Sequence, residues 1–267
     1  SSQDSDAPSG FTKSFKLDCT TADTSLSASD HYGFQYNPEG FHMDSVGKGT
    51  SGAKSMTLSF YVKATVTKTM VVEFTDASNS RHVNFAVTPS TTNTWERVSL
   101  SIPADTSGSF NQGTNSSAGE INFWLGAGTT YTSGSLQSAW TSRVSANIMA
   151  GVSNWADSTS NAIWITGLQL EIGDVATPFE HESYGDTLLK CQRYFEICGW
   201  VPRTDNLLAS VEYKVEKRAQ STIAVVSSDA DGFSVSTNEQ RDSRQGFYQS
   251  ANASHTTRVT MSSDAEL

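Results

Sequence analysis

Asn122 and Trp124 are the residues whose types and spacing first suggest chemistry. They alternate with Ile121, Phe123 and Leu125, and successive side chains of a strand point to opposite faces. With the apolar set turned to a core, Trp124 stands on an open sheet face beside an amide. A flat aromatic ring under the apolar face of a pyranose, flanked by amides or carboxylates for the hydroxyls, is a common way to bind sugar in water. Tyr131, Trp140 and Trp155 follow in the next loops. Trp124, Asn122, Tyr131, Trp140 and Trp155 are therefore the candidate glycan-binding set. The competing reading is that these rings fill the sandwich or a subunit interface, and it weighs more because large aromatics are mostly buried.

A second concentration of aromatic and amide groups runs from His31 to His42 (HYGFQYNPEGFH). It reads either as a recognition loop or as a strand with Phe34 and Tyr36 against a neighbour. Its two histidines have no third ligand nearby in sequence, so no metal site is assigned.

Catalytic patterns are weak. Glu171, Asp174, Glu180, Glu182 and Asp186 lie close in sequence, but a glycan-cleaving enzyme needs two carboxylates flanking the scissile bond, and no such pair is recognisable. Solvated carboxylates at a strand end and a helix start explain them better. The chain has no GxSxG elbow, HExxH zinc helix or phosphate-cradling glycine loop. Asp229-Ala-Asp-Gly232 opens like a calcium loop but lacks the later ligands, so it reads as a hairpin turn. No catalytic residue and no cofactor are assigned. A structural calcium ion in the sandwich is left open, without named ligands.

The elements that must position these residues are strands. Leu58, Phe60 and Val62 alternate with polar residues, as do Met70, Val72 and Phe74; Val83, Phe85 and Val87; and Val98, Leu100 and Ile102. Each set presents one apolar face, as half-buried antiparallel strands do. With turn clusters between them, the spacing predicts a jelly-roll-like β-sandwich whose last strand is Ala162 to Ile172. One helix follows. Ser183 is its N-cap with Asp186 three residues on, and Tyr184, Leu188, Cys191 and Phe195 form an apolar stripe. Beyond it, Val211 to Val215, Thr222 to Val226, Gly232 to Ser236, Gly246 to Ser250 and Thr256 to Met261 read as short strands. The expected organisation is all-β: a sandwich over 1–180, a connecting helix over 181–198 and a small β domain over 199–267.

Composition sets outer limits. The 267 residues carry a formal net charge of −10, without the clustered Lys/Arg footprint of a nucleic-acid binder. Apolar runs are strand-sized, far short of the ~20 residues of a spanning helix, and Ser1-Ser-Gln-Asp-Ser-Asp6 does not look like a secretory signal. Neither nucleic acid nor membrane insertion is expected. Cys19, Cys191 and Cys198 are odd in number and form no CxxC pair, which suits reduced thiols of a protein made in a cytoplasm.

The stretch Ile165-Thr-Gly-Leu-Gln-Leu-Glu-Ile-Gly173, with Ala176-Thr-Pro-Phe-Glu-His181 and Cys191-Gln-Arg-Tyr-Phe-Glu196, resembles a signature of phage tail fibre and minor structural proteins. Weaker matching phrases are Met56-Thr-Leu-Ser-Phe-Tyr-Val-Lys63, Thr94-Trp-Glu-Arg-Val98 and the terminal Asp264-Ala-Glu-Leu267. The resemblance implies a sandwich similar to carbohydrate-binding modules, assembly as a homotrimer, and a place in the virion with contact to other virion proteins and to bacterial surface polysaccharide. Longer relatives open with a further segment ending in an Asp-Arg-Trp-like motif, which has no counterpart before Gly10-Phe-Thr-Lys-Ser-Phe15; the expectation is a C-terminal fragment, a processed product or a shorter variant. The leading functional expectation is a non-enzymatic tail fibre or appendage. The alternatives are a head decoration or adaptor protein, a free carbohydrate-binding module and a tailspike depolymerase. For the trimer, a helix too short to stand alone and a β domain of about seventy residues both ask for neighbours, which puts Leu188, Cys191 and Phe195 near the subunit contacts.

Overall fold

The structure, a computed structural model, describes residues 1–200, 208–219, 222–228, 234–240, 245–251 and 259–265. It divides into two units, Ser1–Glu180 and His181–Leu267. The first unit contains strands β1 (Ser2–Asp4), β2 (Ser14–Asp18), β3 (His31–Tyr36), β4 (Met56–Ala64), β5 (Met70–Asp76), β6 (Arg81–Val87), β7 (Glu96–Ile102), β8 (Glu120–Ala127), β9 (Thr141–Ser142) and β10 (Ala162–Ile172). They form two five-stranded antiparallel sheets, ordered β1-β2-β10-β4-β7 and β3-β8-β5-β6-β9. This is the all-β, jelly-roll-like sandwich that the alternation predicts, and the last strand keeps its expected bounds. Among the described residues no helix is long and apolar enough to cross a membrane.

The apolar positions of the strands meet between the sheets. Leu58, Phe60 and Val62 on β4 face Met70, Val72 and Phe74 on β5 and Ile121, Phe123 and Leu125 on β8, all in one buried cluster. Phe34 joins from β3, stacked on Phe123 with ring centroids 4.6 Å apart, so the His31–Tyr36 segment is a strand and not a loop. Each such side chain contributes about 1.5–3 kcal/mol on burial.

One expectation fails on β5. Half-buried strands should leave their polar residues in water, yet all seven residues of β5, including Glu73, Thr75 and Asp76, are buried. The segment between β8 and β10 folds over that polar face. Asn84 of β6 holds it there: its Nδ2 donates to the Asn147 and Ile148 carbonyls at 2.9 and 3.0 Å, and its Oδ1 accepts from the Gln137 amide at 2.6 Å.

The distinctive Ile165–His181 stretch has a structural use. Between Thr166 and Gln169 the register of β10 on β4 shifts in a bulge, and Gly167 there has φ +61°, where an added Cβ would lie 2.7 Å from the Phe11 ring. Only glycine fits both the backbone and the space. Downstream, Gln169 Oε1 accepts from the Glu180 amide at 2.8 Å, and Glu171 accepts from the Thr177 amide at 3.1 Å and from the Thr177 hydroxyl. Two alternate side chains of the strand thus clamp the chain that leaves it.

A buried lysine locks the loops that follow β5 and β7. Lys48, 1% exposed, donates to Asp76 Oδ2 at 2.5 Å and to the Gly108 and Ser107 carbonyls at 2.7 and 3.0 Å, and lies 3.1 Å from Asp105 Oδ2. Its ammonium also sits 4.9 Å from the Trp140 ring centre and 5.1 Å from that of Phe110. Arg81 makes a fork to Asp105 at 2.8 and 3.0 Å, so two cations meet two carboxylates out of water. Burial opposes the charge on Asp105, but bonds from Arg81, the Ser107 amide and Lys48 hold its carboxyl below the usual range. Among the described residues no cluster of three or more His, Cys, Asp or Glu side chains could hold a metal ion.

The second unit begins with a helix, Tyr184–Gln192, capped by Ser183, whose Oγ accepts from the Asp186 amide at 3.2 Å. The cap is the predicted one, and the helix groups with the residues after it rather than standing as a separate connector. It is also shorter than expected. Phe195, placed on the helix stripe by its spacing, instead opens strand β11 (Phe195–Trp200), because the helix ends at Gln192 and the Tyr194 amide bonds back to the Cys191 carbonyl at 3.0 Å. Strands β12 (Leu208–Glu212), β13 (Thr222–Ser228), β14 (Ser234–Gln240), β15 (Gln245–Ala251) and β16 (Val259–Asp264) complete two three-stranded antiparallel sheets, β11-β16-β13 and β12-β15-β14. The expected hairpin turn at Asp231-Gly232 lies outside the described residues.

Lys48→Met is expected to destabilise the protein by about 3–5 kcal/mol, because it leaves Asp76 buried without its cation. The urea midpoint, followed by tryptophan fluorescence, measures this; an unchanged midpoint would show that the buried cluster contributes nothing net.

Candidate functional site

The polar face of the sheet β3-β8-β5-β6 is built around one carboxylate. The strand register places Gln35, Asn122, Glu73 and Asn84 side by side across four strands. Glu73, fully buried, is the ionisable member. Its Oε1 accepts from Arg143 Nε and from His82 Nδ1, both at 2.8 Å, and its Oε2 accepts from Trp124 Nε1 at 3.0 Å and Arg143 Nη2 at 3.1 Å. A carboxylate is acceptor-only, so the proton on His82 Nδ1 and both guanidinium N–H groups point at it. Burial pushes the Glu73 carboxyl up, but the His82 and Arg143 bonds outweigh it and hold the group below the usual glutamate range. Arg143 moves the other way: burial opposes its charge, and the bond to Glu73 raises its pKa despite that.

This arrangement fixes Trp124 by its polar edge. The indole N–H is committed to Glu73, while the residue as a whole remains half-buried. His31, which is exposed, lies edge-on to Trp124 with centroids 5.6 Å apart and edge-on to Tyr131 at 4.9 Å. The three rings form one aromatic patch. The partly exposed guanidinium of Arg143 shares Glu73 Oε2 with the Trp124 indole, and the exposed Gln35 and half-buried Glu120 lie on the same sheet face beside Asn122. Glu73 itself cannot act as an acid or base on a ligand, because its lone pairs face internal donors and it is sealed from water.

The sequence-derived set divides. Trp124 and Tyr131 lie together in the patch. Asn122 does not stand beside Trp124 in water: it is 1% exposed, and its Nδ2 faces Glu120 Oε2 at 3.2 Å, Thr75 Oγ1 at 3.4 Å and Glu73 Oε2 at 3.5 Å. Trp155 is likewise corrected. It is a core residue, 4% exposed, with Nε1 donating to the Thr69 carbonyl at 3.0 Å. Trp140 packs edge-on against Phe74 and Phe110 and donates to the Pro103 carbonyl at 2.8 Å, far from the patch in its role. In all three, burial of a large or polar group with its hydrogen bonds met prevails over exposure.

Three contributors escaped the sequence reading: Glu73, His82 and Arg143. Each occupies an ordinary polar position of a strand or loop, and nothing local marks it as buried. His31 was visible only as part of an aromatic-rich segment. Its partner appears once β3 pairs with β8 and Gly33 falls opposite Trp124. Of the acidic residues that follow β10, Glu171 holds Thr177 in the first unit, while in the second Glu182 pairs with Lys190 and Asp186 takes part in the Ser183 cap.

The fold thus defines an all-β sandwich with an aromatic patch on a sheet face. Searched against protein-family models and curated proteins, the chain matches none.

Because the Glu73 pKa is lower in the folded state, its contribution to stability is present above the unfolded value of about 4.3 and is lost as pH falls through the folded value. Glu73→Gln is expected to cost about 3–5 kcal/mol at neutral pH by leaving Arg143 part-buried and unpaired. It should also lose less stability than the parent on acidification below about pH 5. Urea midpoints for both proteins across that range give the comparison, and parallel pH profiles would contradict the assignment.

Proposed function

We propose that this chain is a non-enzymatic part of a bacteriophage virion appendage, a tail fibre or related structure, that attaches to glycan on the host surface. One observation carries the binding part of this reading: Trp124, His31 and Tyr131 form a partly exposed aromatic patch, with the indole N–H held by buried Glu73, which also holds Arg143, and with Gln35 and Glu120 on the same sheet face. A ring fixed in advance loses little freedom on binding, and the flanking polar groups suit hydroxyls. The virion part rests on the resemblance of the Gln169-Leu-Glu171 and Cys191-Gln-Arg-Tyr194 phrases to phage fibre proteins. On this reading the chain is made in the host cytoplasm and resides in the virion, among other virion proteins.

Self-association belongs to the same proposal. Leu188 is 39% exposed, Phe195 42% and Tyr184 82%, with Cys191 exposed among them. A homotrimer would cover this apolar surface, and strand edges with it.

Binding to purified surface polysaccharides of candidate bacterial hosts, read by calorimetry, tests attachment. Trp124→Ala should weaken it at least about tenfold, equivalent to ~1.4 kcal/mol, with the thermal transition still cooperative. Binding unaffected by this change would remove the patch from the proposal, and new reducing ends would make the protein a depolymerase.

Light scattering at micromolar concentration tests assembly. A trimer of the 28.8 kDa chain is expected, dissociated by Leu188→Asp. A monomeric mass for the parent would end that part of the reading.

A further inference from the structure

A cleft of about 290 Å³ opens at one end of the sandwich, between β2 and β10 of one sheet and β3 and β8 of the other. Leu17, Leu125, Ile163 and the Trp155 ring make its walls apolar. The polar atoms that reach it are already used. Tyr32 donates its hydroxyl proton to Asn154 Oδ1 at 2.6 Å and accepts from the Ala156 amide at 2.7 Å. Asn161 Nδ2 donates to the Trp155 carbonyl at 3.0 Å and to Asp157 Oδ1 at 2.8 Å. Burial pushes the Tyr32 phenol up to about 12, so it stays neutral at physiological pH. An ion or a sugar entering the cleft would lose its hydration without recovering those bonds.

The mouth is different. Cys19, Thr20 and Thr21 border it, and the Cys19 thiol makes only weak contacts, to the Thr21 and Ala156 carbonyls at 3.3 and 3.5 Å. Cys19 is free and partly exposed. A dry apolar cavity of about 150 Å³ is enough for benzene, so this cleft has room for a fused bicyclic ring or a short aliphatic chain.

We propose that this cleft is a binding site for a small amphipathic molecule, its aromatic or aliphatic body between Leu17, Leu125 and Ile163 and its polar end at Thr20, Thr21 and Cys19. The site is separate from the aromatic patch. Leu125 and Trp124 are neighbours on β8 that face opposite sides of the sheet, so the cleft does not depend on glycan attachment at Trp124.

Indole is a suitable probe, and the Cys19 thiol reports its arrival. In the 267-residue chain carrying Cys191→Ser and Cys198→Ser, iodoacetamide modifies Cys19 alone. Bound indole should slow that reaction by the factor 1 + [indole]/Kd, about tenfold when indole exceeds Kd by about tenfold. Leu17→Trp, which enlarges the wall side chain paired with Ile163 and so fills the cleft with a ring, should abolish the protection. Methyl NMR of the unaltered protein gives a second readout that needs no folded variant: indole should shift the Leu17, Leu125 and Ile163 methyl signals together. Alkylation unaffected by indole up to its solubility limit would overturn the site, as would protection retained in folded Leu17→Trp or methyl shifts in the unaltered protein that avoid these three residues.

Discussion

A carboxylate that cannot reach water organises the polar side of this sandwich. Glu73 sits in the middle of a central strand with no exposure, and isolating such a charge costs several kcal/mol unless partners meet it. His82 comes from the neighbouring strand, Trp124 from the strand on the other side, and Arg143 from the segment that folds across the face. The carboxylate therefore ties its own hairpin to two pieces of chain 51 and 70 residues away. It fixes where the covering segment lies and how the Trp124 ring is turned.

The Lys48 cluster uses the same device with the sign reversed. An ammonium surrounded by two carboxylates and two carbonyls joins loops at residues 48, 76, 105 and 108. Such clusters add less stability than a hydrophobic replacement of equal volume often would, but they penalise any packing that separates the partners. In a sandwich rich in serine and threonine, this is a plain route to a single arrangement of long loops. The glutamine and glutamate of the Ile165–His181 stretch do a milder version of it at the surface, where they hold the Thr177–Glu180 backbone.

Strands β3 and β8 serve two surfaces. Their outward residues His31 and Trp124 form the aromatic patch, while Tyr32 and Leu125 line the cleft. Strand alternation makes this possible, since neighbouring residues face opposite sides. Chemistry on one face is thus insulated from chemistry on the other by the sheet itself.

The sequence by itself determined the strand alternation, the apolar core and the limits of β10, because a period of two and the turn residues are local properties. It likewise determined the Ser183 cap, which needs only two residues three apart. Only the tertiary structure decided which polar residues are buried. Asn122 and Glu73 look like solvent-facing positions in their strands, and become interior when residues 137–148 cross above them. The same holds for Trp140 and Trp155, whose surroundings come from segments far away in the chain. Phe195 shows the limit for helices: spacing set a stripe, but the end of the helix at Gln192 depends on the strand that follows. Partners supplied from a distance leave no mark in local sequence, and so the site could be read only in part before the chain was folded.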